Sequence, residues 1–317
     1  MKIKVGYWQD SITLYKSSPS IGSVFALALL AQGAVAQNLE PRRWSHLPVG
    51  ANFAGAGYAY TESDIFFNPT LQLEDVTGEV HTTVFSYLRV LDVFGKSGRI
   101  DVLVPYSVGR WAGLLEGQPA STRRSGFGDP RFRFAVNLLG SPAQRGAEFR
   151  RLDVNTIVGV ALEVFAPFGE YQEDRLINLG RNQWVFRPQI GVVQDWNKWA
   201  VEMTGSAWLY SDNDEFDGDK TREQDPLFSL QGHLIYTFRP GLWASISGAY
   251  GGGAKSTIDG IGSADRIGKY LWAASFGFPI NNRQGIKIAY VIGESVKDTG
   301  NDYDQFIVAY SMMWGGQ

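Results

Sequence analysis

The strongest constraint on this chain is a period of two that recurs along almost its whole length. In SGFGDPRFRFAVNLLGSPA (125–143), Phe132, Phe134, Val136 and Leu138 share one face, while Asp129, Arg131, Arg133 and Asn137 share the other. Strict alternation of this kind describes a strand with two unlike faces. A soluble sheet turns the phenylalanines to a core and the arginines to water, whereas a barrel in a bilayer does the reverse. This stretch alone does not choose between them.

Segments of the same kind occupy 49–60, 78–93, 99–112, 128–138, 153–166, 183–196, 199–210, 227–238, 242–250, 268–279, 285–293 and 304–314. Ile100, Val102, Val104, Tyr106 and Val108 oppose Arg99, Asp101 and Ser107; Val154, Val158, Val160, Leu162 and Val164 oppose Asp153, Asn155 and Glu163. Most segments reach the roughly 9–11 residues that a tilted strand needs to cross a bilayer, beyond the roughly 5–6 of a globular sheet. Their connections alternate. GKSG (95–98), WNK (196–198), RPG (239–241) and NNRQ (281–284) are short, and between them lie long polar links at 61–75, 114–126, 167–182, 211–226, 252–267 and 294–302. Short periplasmic turns and long external loops are the outer-membrane arrangement. One connection, LGSPAQRGAEFRR (139–151), exceeds its short class and reads as an ordered periplasmic excursion.

Tryptophans near strand ends (Trp111, Trp184, Trp196, Trp199, Trp208, Trp243, Trp272 and Trp314) suit interfacial girdles. The last strand, DQFIVAYSMMW, sets Phe306, Val308, Tyr310, Met312 and Trp314 on one face, resembling the terminal aromatic strand that barrel-assembly machinery reads, although Gly-Gly-Gln follows it. The expected fold class is all-β: a transmembrane antiparallel up-and-down β-barrel of about twelve strands. A secreted antiparallel sandwich with the same alternation is the alternative. In the barrel, Phe132 and Phe134 face outer-membrane lipid and Arg131 and Arg133 face a lumen.

The N-terminus carries Lys2, Lys4 and Lys16, an apolar run VFALALLA (24–31), and Ala34 and Ala36 in A-x-A spacing. That pattern reads as a signal peptide over 1–36, leaving a barrel over 37–317. The long basic region with Asp10 leaves open a downstream start or a membrane anchor, but the run falls short of the ~20 residues that span a bilayer. Thirty-seven glycines, no cysteine and a net charge of −3 fit a turn-rich chain without disulfides. They offer no basic excess for a nucleic-acid partner.

Several stretches resemble one family: FNPTLQLEDV (67–76), RIDVLVPYS (99–107), RSGFGDPRFRFAVNLLGSPA (124–143), FAPFGEY (165–171), NLGRNQWVFRPQIG (178–191), REQDPLFSLQGHLIY (222–236) and GLWASISGAYGGG (241–253). They resemble the outer-membrane transporters grouped under the meta-pathway of phenol degradation. The resemblance implies an outer-membrane barrel passing small hydrophobic or aromatic solutes, and it carries over no binding residues.

Parity nominates Asp101, Asp129, Arg131, Arg133, Glu163, Arg187, Gln189, Gln231 and His233 as lumen-lining, with Glu163 and Arg187 as lateral neighbours forming an ion pair. Opposed charges of this kind would narrow and polarise a pore. A barrel-borne lipid hydrolase needs serine and histidine on the lipid side, yet His233 falls inside; a structural barrel with a plugged lumen is the other alternative. His46 reads as an exposed linker residue. Asp212, Asp214 and Glu223 mimic three positions of a calcium loop, but the glycine that should turn it is displaced by one. GGGAK (251–255) lacks the rest of a phosphate loop. No catalytic residue, metal or cofactor is expected. Pro105 and Pro188, inside strands, read as bulges.

Overall fold

In the computed structural model, residues 39–66, 73–175, 177–263, 265–297 and 300–316 are described. The segment read as a signal peptide lies outside them. The strands are β1 (Ala51–Phe66), β2 (Leu73–Val93), β3 (Lys96–Leu115), β4 (Gln118–Phe127), β5 (Arg131–Leu139), β6 (Thr156–Phe165), β7 (Val185–Trp196), β8 (Trp199–Tyr210), β9 (Asn213–Phe216), β10 (Lys220–Gln224), β11 (Leu227–Arg239), β12 (Leu242–Gly253), β13 (Ser256–Ile258), β14 (Ile261–Gly262), β15 (Ile267–Asn281), β16 (Gln284–Ser295) and β17 (Gly300–Gly315), with one short helix, α1 (Gly146–Arg151), between β5 and β6. No described helix is long and apolar enough to cross a membrane.

Twelve antiparallel staves close into a barrel. The last, β17, returns to the first in unbroken register from Ala51 opposite Gly315 to Phe66 opposite Gly300. Closure pairs the first stave with the last, so neither is a bare edge facing hydrocarbon. β4 and β5 together make one stave, because both pair with the same side of β3: Tyr106–Leu115 with β4 and Gly98–Leu103 with β5. Outward positions carry an exposed apolar belt that includes Phe134, Ile190, Leu230, Ile246 and Phe306, while Arg131 and Arg133 are buried on the inside. The alternation is therefore inverted relative to a soluble sheet, and the phenylalanines of the 125–143 stretch face lipid.

The short turns fall at one end. At Phe94–Gly95 both residues take positive φ (51° and 78°), the two-residue turn whose twist matches the strands it joins. The excursion after β5 contains α1, which packs against the segment entering the barrel. At the other end, β9, β10, β13 and β14 form a small separate sheet. The would-be calcium loop is part of it, with the Thr221 hydroxyl donating to Asp214.

Three expectations change. The stretch 114–126 is no loop but the β3–β4 hairpin, closed by a turn at Glu116–Gly117; its polar alternation is that of a ribbon beyond the apolar belt. Trp111, Trp208 and Trp243 are buried on the lumen side, and Trp272 is exposed mid-strand opposite Gly248, leaving Trp184, Trp196, Trp199 and Trp314 exposed at strand ends for a girdle. Neither proline sits on a bulged strand. Pro105 faces an extra residue in the neighbouring stave, within Gly128–Asp129–Pro130, where Gly128 N–H donates to its carbonyl. Pro188 keeps the β7–β8 register but marks two missing rungs, as its absent N–H requires.

Candidate solute path in the lumen

Residues 39–50 precede β1 and run from the turn end up inside the barrel. Their side chains reach the wall residues that parity turns inward. The Glu40 carboxylate takes a bond from Arg131 Nη2 at 3.1 Å and pairs with Arg43. Arg43 Nη2 in turn reaches Glu163 Oε1 at 3.0 Å, and its backbone N–H donates to Glu202 Oε1 at 3.0 Å. Glu163 is the hub. Arg131 Nε meets its Oε1 at 3.1 Å, Arg187 Nη1 meets its Oε2 at 3.1 Å, and Gln189 donates to Oε2 at 3.3 Å. Glu163 and Arg187 are direct cross-strand partners.

The network continues sideways. Arg133 Nε donates to Gln189 Oε1 at 2.9 Å and Nη1 meets Asp101 Oδ2 at 3.4 Å, with Arg99 on the same carboxylate. Arg187 Nε donates to Ser206 Oγ, which bonds Ser229 Oγ at 2.8 Å. Glu163, Asp101, Glu40, Arg43 and Arg131 are each paired more than once, and Arg133 and Arg187 add a hydrogen bond to their single ion pair, the condition under which buried ions persist.

Trp44 fixes the segment against this flank. Its Nε1–H donates to Thr204 Oγ1 at 2.8 Å, and Arg133 stacks over its ring at 4.8 Å. The ring lies on Gly159 and Gly191, which pair across β6 and β7. A Cβ at Gly191 would stand 2.0 Å from the indole and one at Gly159 2.6 Å, so only glycine leaves the slot open. Below it, the His46 ring stacks on Phe149 of α1 at 4.7 Å and its Nδ1 meets Ser141 Oγ at 2.5 Å. His46 is therefore no exposed linker, and burial pushes its pKa down to about 4.

Opposite this charged flank the lumen wall carries an apolar patch. Leu39 packs there against Ala59, Ala249, Ala273 and Ala289, with Leu271 and Ile307 beside them. The two sides differ: guanidinium and carboxylate cluster on β3 to β8, while the β12 to β1 side carries this alkyl patch among inward polar groups, with Lys287 near Glu40, Lys269 bonded to Asn301 and Gln305 bonded to Thr61. Between them, Gln231 and His233 are buried on β11, with His233 Nδ1 at 2.8 Å from Ser247 Oγ.

Of the nominated residues, Asp101, Arg131, Arg133, Glu163, Arg187 and Gln189 meet in one network, and Gln231 and His233 lie apart. Asp129 is displaced from the set. It sits in the break between β4 and β5, where its carboxylate accepts the N–H groups of Gly169 and Arg181 at 3.1 and 3.0 Å and ties down the loop after β6. That loop is needed there. β4 has no second strand neighbour, and the loop closes its edge through Glu170 N–H to the Phe127 carbonyl at 2.7 Å and Arg124 Nε to the Ile177 carbonyl at 3.3 Å. Sequence reading missed Glu40, Arg43 and Trp44, which belong to no periodic segment, and Glu202, which the parity of β8 would have revealed.

A closed barrel with an apolar belt and a charged, occupied interior is the frame for the comparisons. The family model described as "Putative MetA-pathway of phenol degradation" matches residues 52–303. The chain belongs to this family. No protein of curated function matches the sequence. Among solved structures, an outer-membrane channel from Pseudomonas putida F1 is similar with a TM-score of 0.73 at 23% identity, covering 87% of this chain and 100% of that one. The β-domain of the Bordetella autotransporter Brka follows at 0.50 and 11%, covering 83% and 100%. These likenesses show the outer-membrane barrel fold of this phenol-degradation family member, and no more.

Proposed function

We propose that the protein is an outer-membrane channel for small hydrophobic or aromatic solutes, reached after removal of residues 1–36. The observation that supports it is the alkyl patch around Leu39 set across from the charged flank. A solute with an apolar body and one polar group finds alkyl surface and hydrogen-bonding groups facing each other across a single path, a pairing that a general pore for sugars does not need. Residues 39–50 occupy that path, so conduction requires them to shift. The neighbouring channel structure fits this reading through its fold. A lipid-hydrolysing barrel is disfavoured because Ser247 and His233 are both buried on the lumen side, away from lipid.

Liposome swelling with sugars, neutral phenols and aromatic acids of similar size tests the proposal. Phenols and aromatic acids are expected to enter faster than sugars. Equal rates for all would overturn selectivity and leave a general pore.

A further inference from the structure

The first two described residues of the inward segment, called its tip below, have the form of a ligand. Leu39 lays an alkyl group on the apolar flank, and the adjoining Glu40 presents a carboxylate to Arg131 and Arg43. Both ends sit in built surroundings. Arg131 is 4% exposed and also anchored on Glu163, so its guanidinium is held in place whether or not Glu40 is present. The apolar patch is lined by the small side chains of Ala59, Ala249, Ala273 and Ala289, against which Leu39 packs.

From this juxtaposition we propose that Leu39 and Glu40 stand in the site of the transported solute, and that the preferred solute is an amphipathic monocarboxylate: an aromatic or alkyl body on the alanine-lined flank, its carboxylate on Arg131. The proposal rests on the channel reading and narrows its substrate class. Charge balance points the same way. With Glu40 withdrawn, the guanidiniums of Arg43, Arg99, Arg131, Arg133 and Arg187 and the nearby Lys287 face the carboxylates of Asp101, Glu163 and Glu202. An entering anion restores what the tip removed, whereas a neutral alcohol of the same shape leaves the excess standing. Solute and tip compete for one place, so the solute releases the segment that blocks its own path. No bond is made or broken.

The experiment uses the mature protein in lipid nanodiscs, with 4-methylbenzoate and 4-methylbenzyl alcohol as a matched pair, binding read by calorimetry and entry by liposome swelling. Glu40→Gln weakens the tip's hold and is expected to raise 4-methylbenzoate affinity about tenfold, since less of the protein is then self-occupied. In that variant the alcohol should bind at least about tenfold more weakly than the acid, the loss of one charge-assisted bond. Ala289→Leu, or Ala273→Leu should the first fail to assemble, fills the apolar flank and should abolish binding of both. Equal affinity for acid and alcohol, or an unchanged affinity in the filled variants, overturns the proposal. If neutral phenols still enter faster than sugars in that case, the channel reading stands without the carboxylate preference. If nothing enters even with Glu40→Gln, the channel reading falls as well.

Discussion

On the β3 to β8 flank, the inward segment is held by directional bonds between buried charges, with Glu163 at 0% exposure contacting three guanidiniums. On the β12 to β1 flank Leu39 is held by shape, against a patch of small alkyl groups, with Arg42 stacked on Trp243 at the edge of that flank. The difference matters because the two kinds of hold fail differently. A buried ion network resists until one partner is lost and then leaves uncompensated charge, while alkyl packing weakens in proportion to the atoms removed. One flank acts as a catch and the other as a bearing surface.

The largest effect that would break this contrast is Glu163→Gln. Surface cross-strand ion pairs contribute roughly 0.2–1 kcal/mol, but removing the partner of a buried pair costs about 3–5 kcal/mol. Burial of the hub selects the second figure. Urea unfolding in lipid should show it, and conductance in a salt gradient should shift toward anions, because three arginines lose their shared counter-charge. A loss below about 1 kcal/mol would mean that the network is solvated.

Next in size is Leu271→Ala on the apolar flank, expected to cost about 2–5 kcal/mol, toward the lower end where the lumen can relax. It should leave ion selectivity where it was. A selectivity change here would erase the distinction between the flanks.

Gly191→Val should cost less stability than either, about 1–3 kcal/mol of overpacking. It should raise single-channel conductance several-fold by expelling Trp44 from its slot. Unchanged conductance would show that Trp44 is not what holds the segment across the path.

The smallest effect sharpens the base of the segment. His46 has its pKa pushed down to about 4 by burial, below the usual ~6.5. The folded state therefore favours the neutral ring, and its contribution is complete above about pH 6.5 and is lost as pH falls through about 4. Channel openings should become more frequent over that interval in the native protein and not in His46→Phe, which keeps the stack on Phe149 without the titration. Identical pH profiles would remove His46 from the hold.

The barrel was legible in the sequence because its determinant is local: period two names the inward set, so Arg131, Arg133, Glu163 and Arg187 were found without coordinates. Counting back from the loop between β6 and β7 even paired Glu163 with Arg187. The inward segment was not legible. Its contacts join distant positions, such as Trp44 with Thr204 160 residues away, and NLEPRRWSHLPVG carries no periodicity to announce them. Trp208 was misplaced for a different reason. Aromatics near strand ends serve both a lipid interface and a lumen mouth, and only parity with Glu202, Thr204 and Ser206 distinguishes the two. Residues 114–126 mislead because a polar ribbon above the membrane has a loop's composition.

The seam between β1 and β17 also sets the pace of folding. Each neighbouring stave elsewhere is a hairpin or a single loop away in sequence, but this seam joins residues such as Thr61 and Gln305, 244 positions apart. Such a contact gains nothing until almost all other pairings are in place, so chain closure, not strand formation, is the slow step. Until then both outer strands are bare edges. A chain stopped before Gly300 would lack the stave that covers them and would remain an open sheet, unable to shield its backbone from hydrocarbon.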